Sequence, residues 1–260
     1  MAVEFHSMPL DTRWLSPDTL KVFQHLRDEA SLAGFTLIGG SALALQIGHR
    51  MSQDLDFYFP GDVLPQRVLR STLAAARAKG FTTLDMLSPS AVQQTRINHA
   101  TDLHDWVQDW SIGGVKVSFS TFEGFNEPMH VVASYPRVAG TDTSFSILGI
   151  EGLFAAKAAL LARRVRSRDL FDLKALLDQH GYSIRQLFAA IRRVDPSTNP
   201  DIHRDVLRGL VPLDADDEGF AAIGVQISVD DLYRFFRGRI DAFEREEAKR
   251  IADDVRSRSS

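Results

Sequence analysis

Two short stretches decide the fold, Gly39-Gly40-Ser41-Ala42-Leu43-Ala44-Leu45 and Asp54-Leu55-Asp56. The apolar segment Phe35-Thr36-Leu37-Ile38 precedes the glycines, and it predicts a buried strand. The two glycines allow a tight turn, after which Ser41–Ile47 predicts a short helix. Leu55–Phe59 then predicts a second strand. The sequence therefore predicts a strand, a glycine turn, a helix and a second strand that carries acidic residues.

The glycine turn is suited to binding phosphate. The first amides of a helix have no partner within the helix, and they lie at the positive end of its dipole. Glycine at positions 39 and 40 lets a phosphate approach the backbone, because no Cβ is in the way. The Ser41 hydroxyl offers a further hydrogen bond. We therefore predict that Gly39, Gly40 and Ser41 bind the phosphates of a nucleotide.

Asp54 and Asp56 supply two carboxylates next to this turn. Residues two apart on a strand point to the same face, whereas Leu55 between them faces the core. Two like charges at this spacing repel each other unless a cation lies between them, and oxygen ligands favour Mg²⁺ or Mn²⁺ bridged to phosphates. A phosphate site beside a metal site predicts nucleotidyl transfer from an NTP, with Asp54 and Asp56 as metal ligands and catalytic residues.

The order of the predicted elements indicates two domains. Residues 1–146 predict an α+β domain, in which the helices Pro17–Leu32 and Val63–Lys79 pack on a mixed sheet. The further strands predicted for this domain are Phe81–Leu84, Arg96–Asp102, Val115–Phe122 and Met129–Ala133. Residues 147–260 are predicted to form a helical domain, with helices at Glu151–Arg164, Asp169–His180, Ser183–Val194, Pro200–Arg208 and Val229–Ala252.

Composition excludes several classes of function. The 260 residues include no cysteine, which rules out disulfides, cysteine-ligated zinc and thiol nucleophiles. No apolar run approaches ~18 residues, so we expect no membrane span. Met1–Leu10 lacks an apolar stretch, and we expect no secretory signal and a cytoplasmic protein. The net charge of −4 means that any contact with nucleic acid has to come from a local basic patch.

The residues around both stretches resemble a known family. The segment Gly39–Leu45, followed by His49-Arg50-Met51-Ser52-Gln53-Asp54-Leu55-Asp56-Phe57-Tyr58, is similar to the AbiEii/AbiGii (AbiE-type) nucleotidyltransferase toxins of the DNA polymerase β-like superfamily. Their pattern is Gly-Gly-Ser/Thr-Ala-Leu and then His-Arg-x-Ser-x-Asp-Φ-Asp-Φ, where Φ is apolar. Downstream, Lys157 and Arg168-Asp169-Leu170-Phe171-Asp172-Leu173 resemble the family's helical Lys followed by Arg-Asp-x-x-Asp-Leu. The resemblance runs from residue 35 to residue 180.

The resemblance implies a polymerase β-like nucleotidyltransferase domain followed by a helical C-terminal lobe. It also implies a role in a toxin–antitoxin or phage-defence system, with an antitoxin as partner. Some family members transfer nucleotides onto tRNA 3′ ends, so an RNA acceptor is expected. The resemblance adds Lys157 and Asp172 to the catalytic residues, and it adds Arg50, Lys157 and Arg168 to the nucleotide contacts.

The densest basic cluster of the sequence is Arg163, Arg164, Arg166 and Arg168. If the helix that contains Lys157 ran on unbroken, Lys157, Arg164 and Arg168 would share one face, at about 100° per residue. Such a basic strip would bind a triphosphate or the backbone of RNA. The alternative is a solvated helix end.

One departure from the superfamily pattern leaves the activity open. A third carboxylate usually follows a Val-Lys-Val run, but here Val115-Lys116-Val117 leads to Ser118. A hydroxyl is a poor replacement for a carboxylate as a metal ligand or a general base. Three alternatives stay open: the second metal is absent, another group such as Asp169 or Asp172 serves, or the chain is a nucleotide-binding or interaction module with impaired catalysis. A protein or a small molecule as the acceptor of the nucleotide also stays open.

Overall fold

The computed structural model describes residues 10–121 and 134–258. The chain divides into two compact units, Met1–Ala156 and Lys157–Ser260. We call the first the sheet unit and the second the helical unit. This division falls about ten residues after the predicted boundary at 146–147, which stays a prediction.

The sheet unit is built on one mixed sheet. Its strands are β1 (Thr36–Ile38), β2 (Leu55–Tyr58), β3 (Thr83–Asp85), β4 (Val107–Ile112), β5 (Val115–Ser120) and β6 (Ser146–Ile147). They lie in the order β3-β4-β5-β2-β1-β6. Strand β2 runs antiparallel to β1 and parallel to β5, and β4 runs antiparallel to β3 and β5. This arrangement confirms the predicted α+β fold class.

The helices that the structure describes before β6 are α1 (Pro17–Leu26), α2 (Gly39–Ile47), α3 (Gln66–Ala78) and α4 (Pro89–His99). Ser16 caps α1, because its hydroxyl accepts a hydrogen bond from the Thr19 amide at 3.2 Å. The predicted helix over residues 17–32 is interrupted: α1 ends at Leu26, and residues 30–32 form a separate 3₁₀ turn.

One face of the sheet forms the core, and the other face is polar. Leu55 and Phe57 on β2 pair with Val117 and Phe119 on β5, and all four side chains are buried. The rings of Phe57 and Phe119 stack with their centres 5.4 Å apart. Because side chains alternate along a strand, the residues between these positions point to the opposite face. This places Asp56 on the polar face.

One predicted strand is a helix in the structure, and another lies outside the described residues. The predicted strand over residues 96–102 is wrong, because α4 continues to His99. Ser88 caps this helix and Pro89 begins it, a start signal that outweighs the short apolar pattern. The strand predicted at residues 129–133 lies outside the described residues. Strand β4 was not predicted, although the glycine pair at 113–114 that joins it to β5 is a hairpin signal.

The remaining helices are α5 (Ile150–Leu160), which crosses the division between the units, α6 (Ser167–Gln179), α7 (Ile184–Val194), α8 (Pro200–Arg208) and α9 (Val229–Arg258). Helix α9 packs against α6, α7 and α8. Among the described residues, every helix is either too short or too polar to span a membrane. The predicted helical C-terminal part is confirmed, with α5 four residues shorter at its end than the sequence predicts.

Candidate functional site

Strand β1 leads into α2 through a turn that requires glycine. Helix α2 begins at Gly39, two residues earlier than predicted, and Gly39 has a φ of +73°. Residues with a Cβ rarely adopt this left-handed conformation. The preceding residue, Ile38, makes no side-chain cap at the helix start. The first amides of α2 therefore lie at a helix N-terminus that no side chain at position 38 covers.

The carboxylate of Asp56 lies against this turn. Asp56 is opposite Ile38 in the register of β1 and β2. A Cβ added to Gly39 would overlap Oδ2 of Asp56 and would lie 3.3 Å from its Cγ. Two independent constraints, the positive φ and the nearby carboxylate, thus keep position 39 a glycine.

The guanidinium of Arg50 lies against Gly40, as the Asp56 carboxylate lies against Gly39. A Cβ added to Gly40 would overlap Nη2 of Arg50, and it would lie 3.5 Å from Oγ of Ser52. Arg50 is buried, and its Nη1 donates a hydrogen bond to the carbonyl oxygen of Met51 at 3.1 Å. A fixed positive charge therefore adds to the positive helix end, an arrangement that favours an anion.

Ser41 has a structural task. Its side chain is buried, and its hydroxyl donates to the backbone carbonyl of Asp54. The hydroxyl of Ser52 lies 2.8 Å from that of Ser41. The Thr19 hydroxyl donates to the carbonyl of Gln53 at 2.7 Å, which fastens the same loop to α1. Ser41 therefore holds the loop that leads to Asp54, and its predicted contact with phosphate stays a prediction.

Asp54 and Asp56 sit at the beginning of β2. Asp54 immediately precedes the strand and Asp56 is its second residue, with buried Leu55 between them. Both acidic residues are half-buried. In the part of the chain that the structure describes, no three His, Cys, Asp or Glu side chains are grouped closely enough to hold a metal ion. A metal at Asp54 and Asp56 would therefore need further ligands from a nucleotide and from water, which is how Mg²⁺ is commonly held.

A third carboxylate lies on the same sheet face. Asp56 pairs with Ser118 on β5, and Ser118 pairs with Asp109 on β4. These three residues form one row across neighbouring strands, and residues in such a row point to the same side. Oδ2 of Asp109 lies 3.2 Å from Nζ of Lys116. Asp109 was not among the predicted site residues, although counting outward from the Gly113-Gly114 turn pairs residue 109 with residue 118.

The helical unit contains a buried charged cluster. Nζ of Lys157 lies 2.6 Å from Oδ1 of Asp169 and 2.6 Å from Oδ2 of Asp172, and all three side chains are at most 6% exposed. Nε of Arg164 donates to Asp169 at 2.8 Å. Burial alone would raise the pKa of Asp169, but the charges of Lys157 and Arg164 outweigh it and lower that pKa.

The predicted basic strip is not formed. Helix α5 ends at Leu160 and α6 begins at Ser167, so Lys157, Arg164 and Arg168 do not share one helix face. The charges of this segment are also neutralised within the helical unit. Arg164 pairs with Asp169, Arg166 with Asp216, and Arg168 with Glu218, each at 2.8 Å or less. Arg164, Arg166 and Arg168 are thus held in ion pairs.

Comparison with protein families identifies the chain. A family model described as nucleotidyl transferase AbiEii toxin, type IV TA system, matches residues 21–256. The chain belongs to this AbiEii family. The match confirms the resemblance carried by the glycine turn and the two Asp residues, and it extends that resemblance toward both ends of the chain.

Individual relatives of this AbiEii chain are distant. The uncharacterized protein aq_aa25 of Aquifex aeolicus (strain VF5) is 24% identical over 163 residues, which are 61% of this chain and 65% of that protein. The match thus spans less than two thirds of that relative. Among solved structures, JHP933 from Helicobacter pylori is 17% identical, with 92% of this chain and 99% of that chain covered and a TM-score of 0.46. MenT4, the nucleotidyltransferase toxin Rv2826c of Mycobacterium tuberculosis H37Rv, is 14% identical. The match covers 86% of this chain and 84% of that chain, with a TM-score of 0.49.

The predicted site residues of this AbiEii chain fall into two groups. Gly39, Gly40, Ser41, Arg50, Asp54 and Asp56 lie at the β1–α2 turn and the beginning of β2, within the sheet unit. The second group, Lys157, Asp172 and Arg168, lies in the helical unit, where each residue has an ion-pair partner. A joint role of the two groups stays a prediction.

Proposed function

We propose that this protein transfers a nucleoside monophosphate from an NTP to the hydroxyl of an acceptor, with RNA, in particular the 3′ end of a tRNA, as that acceptor. One observation carries the proposal. Gly39 and Gly40 place the start of α2 directly against the Asp56 carboxylate and the Arg50 guanidinium. A helix N-terminus and an arginine favour phosphate, while a carboxylate beside them favours a phosphate that arrives with a cation.

The residues of this site suit a triphosphate that carries Mg²⁺ or Mn²⁺. Asp54 and Asp56 offer oxygen ligands, which these ions prefer, and glycine at positions 39 and 40 lets the Asp56 carboxylate and the Arg50 guanidinium lie close to the start of α2. When bound, the metal would neutralise charge that develops on the phosphates. The amides of Gly39, Gly40 and Ser41 and the guanidinium of Arg50 would orient the phosphates for attack.

Transfer of the nucleotide requires an acceptor for one proton. The oxygen of the acceptor hydroxyl forms a bond to the α-phosphorus, the bond from that phosphorus to its bridging oxygen breaks, and pyrophosphate leaves. The hydroxyl proton has to pass to a base. We infer that Asp109 takes this proton, because it lies in the same row as Asp56 and Ser118. Asp109 would thus replace the carboxylate that the chain lacks at position 118.

Lys157, Asp172 and Arg168 enter the proposal as residues of the helical unit. Each of them already has an ion-pair partner of opposite charge. A triphosphate that reaches Lys157 or Arg168 therefore has to compete with carboxylates that are already bound. We propose that Lys157 and Asp172 contribute to catalysis by maintaining this charged cluster.

The family description adds a biological setting to the proposal. A type IV toxin–antitoxin system pairs a toxin with an antitoxin, and we propose that an antitoxin opposes the activity of this chain in the cell. NTPs and tRNA are cytoplasmic molecules, so we expect the reaction to take place in the cytoplasm.

A transfer assay tests the proposed function. The purified chain is incubated with each α-labelled NTP in turn, Mg²⁺ and total tRNA, and labelled RNA is measured on a denaturing gel. We expect the substitution Asp56→Asn to lower the rate about a thousandfold, since it removes a charged ligand without changing the shape of the side chain. The control is Asp62→Asn, which changes an exposed carboxylate of the same unit. Equal rates for Asp56→Asn and wild type would exclude the proposed site.

Ser118 favours a second candidate function. A hydroxyl at the position of the third carboxylate fits a module that binds a nucleotide but transfers it poorly, and that acts through an interaction. Binding of a labelled NTP that depends on Arg50, together with no label on RNA, on proteins of a cell extract or on small molecules, would support this module. Label on a protein or on a small molecule would retain the enzyme and replace the acceptor.

A further inference from the structure

Helix α3 exposes a row of positive charges that the β1–α2 site does not use. Arg67, Arg70 and Arg77 on α3 are exposed, and so is Lys79, which follows the helix. At ~100° per residue, the three arginines fall within about a quarter of the helix circumference. We call these four residues the α3 basic face. The chain has no acidic residue between Asp62 and Asp85, so α3 carries no charge of opposite sign.

The α3 basic face is not neutralised by the residues around it. Arg67, Arg70 and Lys79 have no ion-pair partner among residues 10–121 and 134–258, and Arg77 donates to the hydroxyl of Thr83 at 2.6 Å. The arginines at 164, 166 and 168 differ in this respect, because carboxylates of the helical unit neutralise each of them. In a chain with a net charge of −4, the α3 basic face is therefore an uncompensated local patch.

This arrangement is unfavourable for α3 itself. Arg67 lies in the first turn, where the helix dipole disfavours a positive charge, and that turn contains no acidic residue. Arg67 and Arg70 are three residues apart, and like charges at this spacing repel each other. An anion bound along the helix would remove both penalties.

The geometry of the face fits a chain of phosphates. Arg67 and Arg77 are separated by about 15 Å along the axis at 1.5 Å per residue, the length of about four nucleotides at ~3.4 Å per charge. The exposed residues between them, Ser71 and Ala74, are small, which lets a backbone come close. Arginine binds phosphate oxygens with two parallel hydrogen bonds. A single phosphate group would occupy only part of this length.

We propose that the α3 basic face binds the sugar–phosphate backbone of the RNA that receives the nucleotide, an inference that rests on the proposed function. The face carries no aromatic side chain on which a base could stack. Binding along it therefore depends on charge and little on sequence. Because a tRNA is much longer than 15 Å, the face contacts the body of the RNA, while the reacting end is a separate contact.

Binding and transfer are measured separately. Fluorescence anisotropy with labelled tRNA, in the absence of NTP and over a series of salt concentrations, compares the wild type with Arg67→Gln/Arg70→Gln. We expect the double substitution to weaken binding about tenfold and to reduce the salt dependence by about two released counterions. The matched control is Arg192→Gln/Arg193→Gln, which removes two exposed arginines from α7 and changes the net charge equally. The control is expected to bind tRNA nearly as the wild type does.

Three results would overturn the proposal. They are unchanged tRNA binding by Arg67→Gln/Arg70→Gln, an equal loss in the control, and α3-dependent binding to phosphatidylserine vesicles but not to tRNA. The transfer assay distinguishes this failure from failure of the proposed function. RNA labelling with α3-independent binding would reject the α3 basic face alone. Binding of tRNA through α3 without labelling by the wild type would reject the proposed transfer and leave the face as an RNA-binding surface.

Discussion

The β1–α2 turn and the charged cluster of the helical unit differ in how deeply their carboxylates are buried. At the turn, half-buried Asp56 and buried Arg50 lie against two glycines, at the N-terminus of α2. In the helical unit, Lys157 is enclosed by Asp169 and Asp172 and is 5% exposed. The turn therefore keeps its carboxylate half-buried beside a helix N-terminus, whereas the carboxylates of the cluster are buried around Lys157. Residues of the family pattern therefore differ in their surroundings: Asp56 is partly accessible, whereas Lys157 and Asp172 are buried.

The largest expected effect separates structural from catalytic roles in the cluster. Lys157→Met leaves Asp169 and Asp172 buried with much less positive charge. We expect it to lower the free energy of unfolding by about 3–5 kcal/mol, which is the penalty for breaking a buried ion pair. Urea unfolding followed by circular dichroism measures this change. The control Lys21→Met breaks an exposed pair with Asp18 and is expected to change the free energy by less than about 0.5 kcal/mol.

The opposite result for Lys157 would break the comparison. If Lys157→Met unfolded at the same urea concentration as the wild type but lost transfer activity, the cluster would act on the substrate rather than on stability. The double substitution Lys157→Met/Asp172→Leu sharpens the test. An apolar pair of similar volume restores part of the stability if the loss comes from an uncompensated buried charge.

The next effect concerns the polar row on the sheet. We expect Asp109→Asn to lower the transfer rate about a hundredfold, because it removes the proposed proton acceptor. Ser118→Asp in the same chain is expected to restore part of the rate, since position 118 lies between Asp56 and Asp109 in the register. Single-turnover rates with labelled NTP provide the measurement.

Lys116→Met is the control for the polar row. It removes the ion-pair partner of Asp109 and leaves the carboxylate in place. An unchanged rate for Asp109→Asn would show that Asp109 does not accept the proton. The second candidate function would then gain weight.

A smaller effect is expected from the glycine turn. Ala at position 39 meets both a positive φ and the Asp56 carboxylate, whereas Ala at position 80 meets a φ of +89° with nothing within 4 Å. Gly80→Ala should lose about 1 kcal/mol of stability, because it places a Cβ on left-handed backbone, and Gly39→Ala should lose more, because its Cβ also overlaps the Asp56 carboxylate. We expect only Gly39→Ala to weaken NTP binding, by about tenfold, as measured by equilibrium dialysis. Equal NTP affinity of both variants would mean that the turn does not hold phosphate.

The sequence was most informative where the residue type is dictated by the backbone. Two glycines, a following apolar helix and alternating acids on a strand each have few alternatives, and they predicted β1, α2 and β2 closely. The partners of Ser41 and Arg50 depend on the loop over residues 48–54, which has no regular pattern. Their contacts with Asp54 and Gly40 were therefore not predictable from spacing.

The errors have physical causes as well. The basic strip at residues 157–168 assumed one continuous helix, but the chain leaves α5 at Leu160, and Arg166 and Arg168 meet acids some 50 residues away in the sequence. Pairs at such distances follow from tertiary packing, which a local period does not contain. The position of Asp109, in contrast, could have been predicted from the sequence. Its register follows from the two-glycine turn, once β4 is accepted as a strand.

The smallest expected effect concerns a third group of charges, which is partly exposed and lies in the sheet unit. His104 Nδ1 is 2.8 Å from Asp102, and its Nε2 is 2.9 Å from Asp85. Burial opposes protonation of the ring, but hydrogen bonds to both carboxylates outweigh it and raise the pKa of His104. These side chains are 27% to 40% exposed, in contrast to the buried cluster around Lys157.

A raised pKa in the folded state fixes the sign of the pH effect. The stabilisation from protonated His104 is fully present below its unfolded pKa, and it is lost as the pH rises through the raised pKa. We expect His104→Gln to lower the free energy of unfolding by about 1 kcal/mol at acidic pH and by clearly less at alkaline pH. Urea unfolding at both pH values checks this, with His99→Gln, an exposed position on α4, as the control. An equal loss at both pH values would mean that His104 acts through neutral hydrogen bonds and that its charge does not contribute to stability.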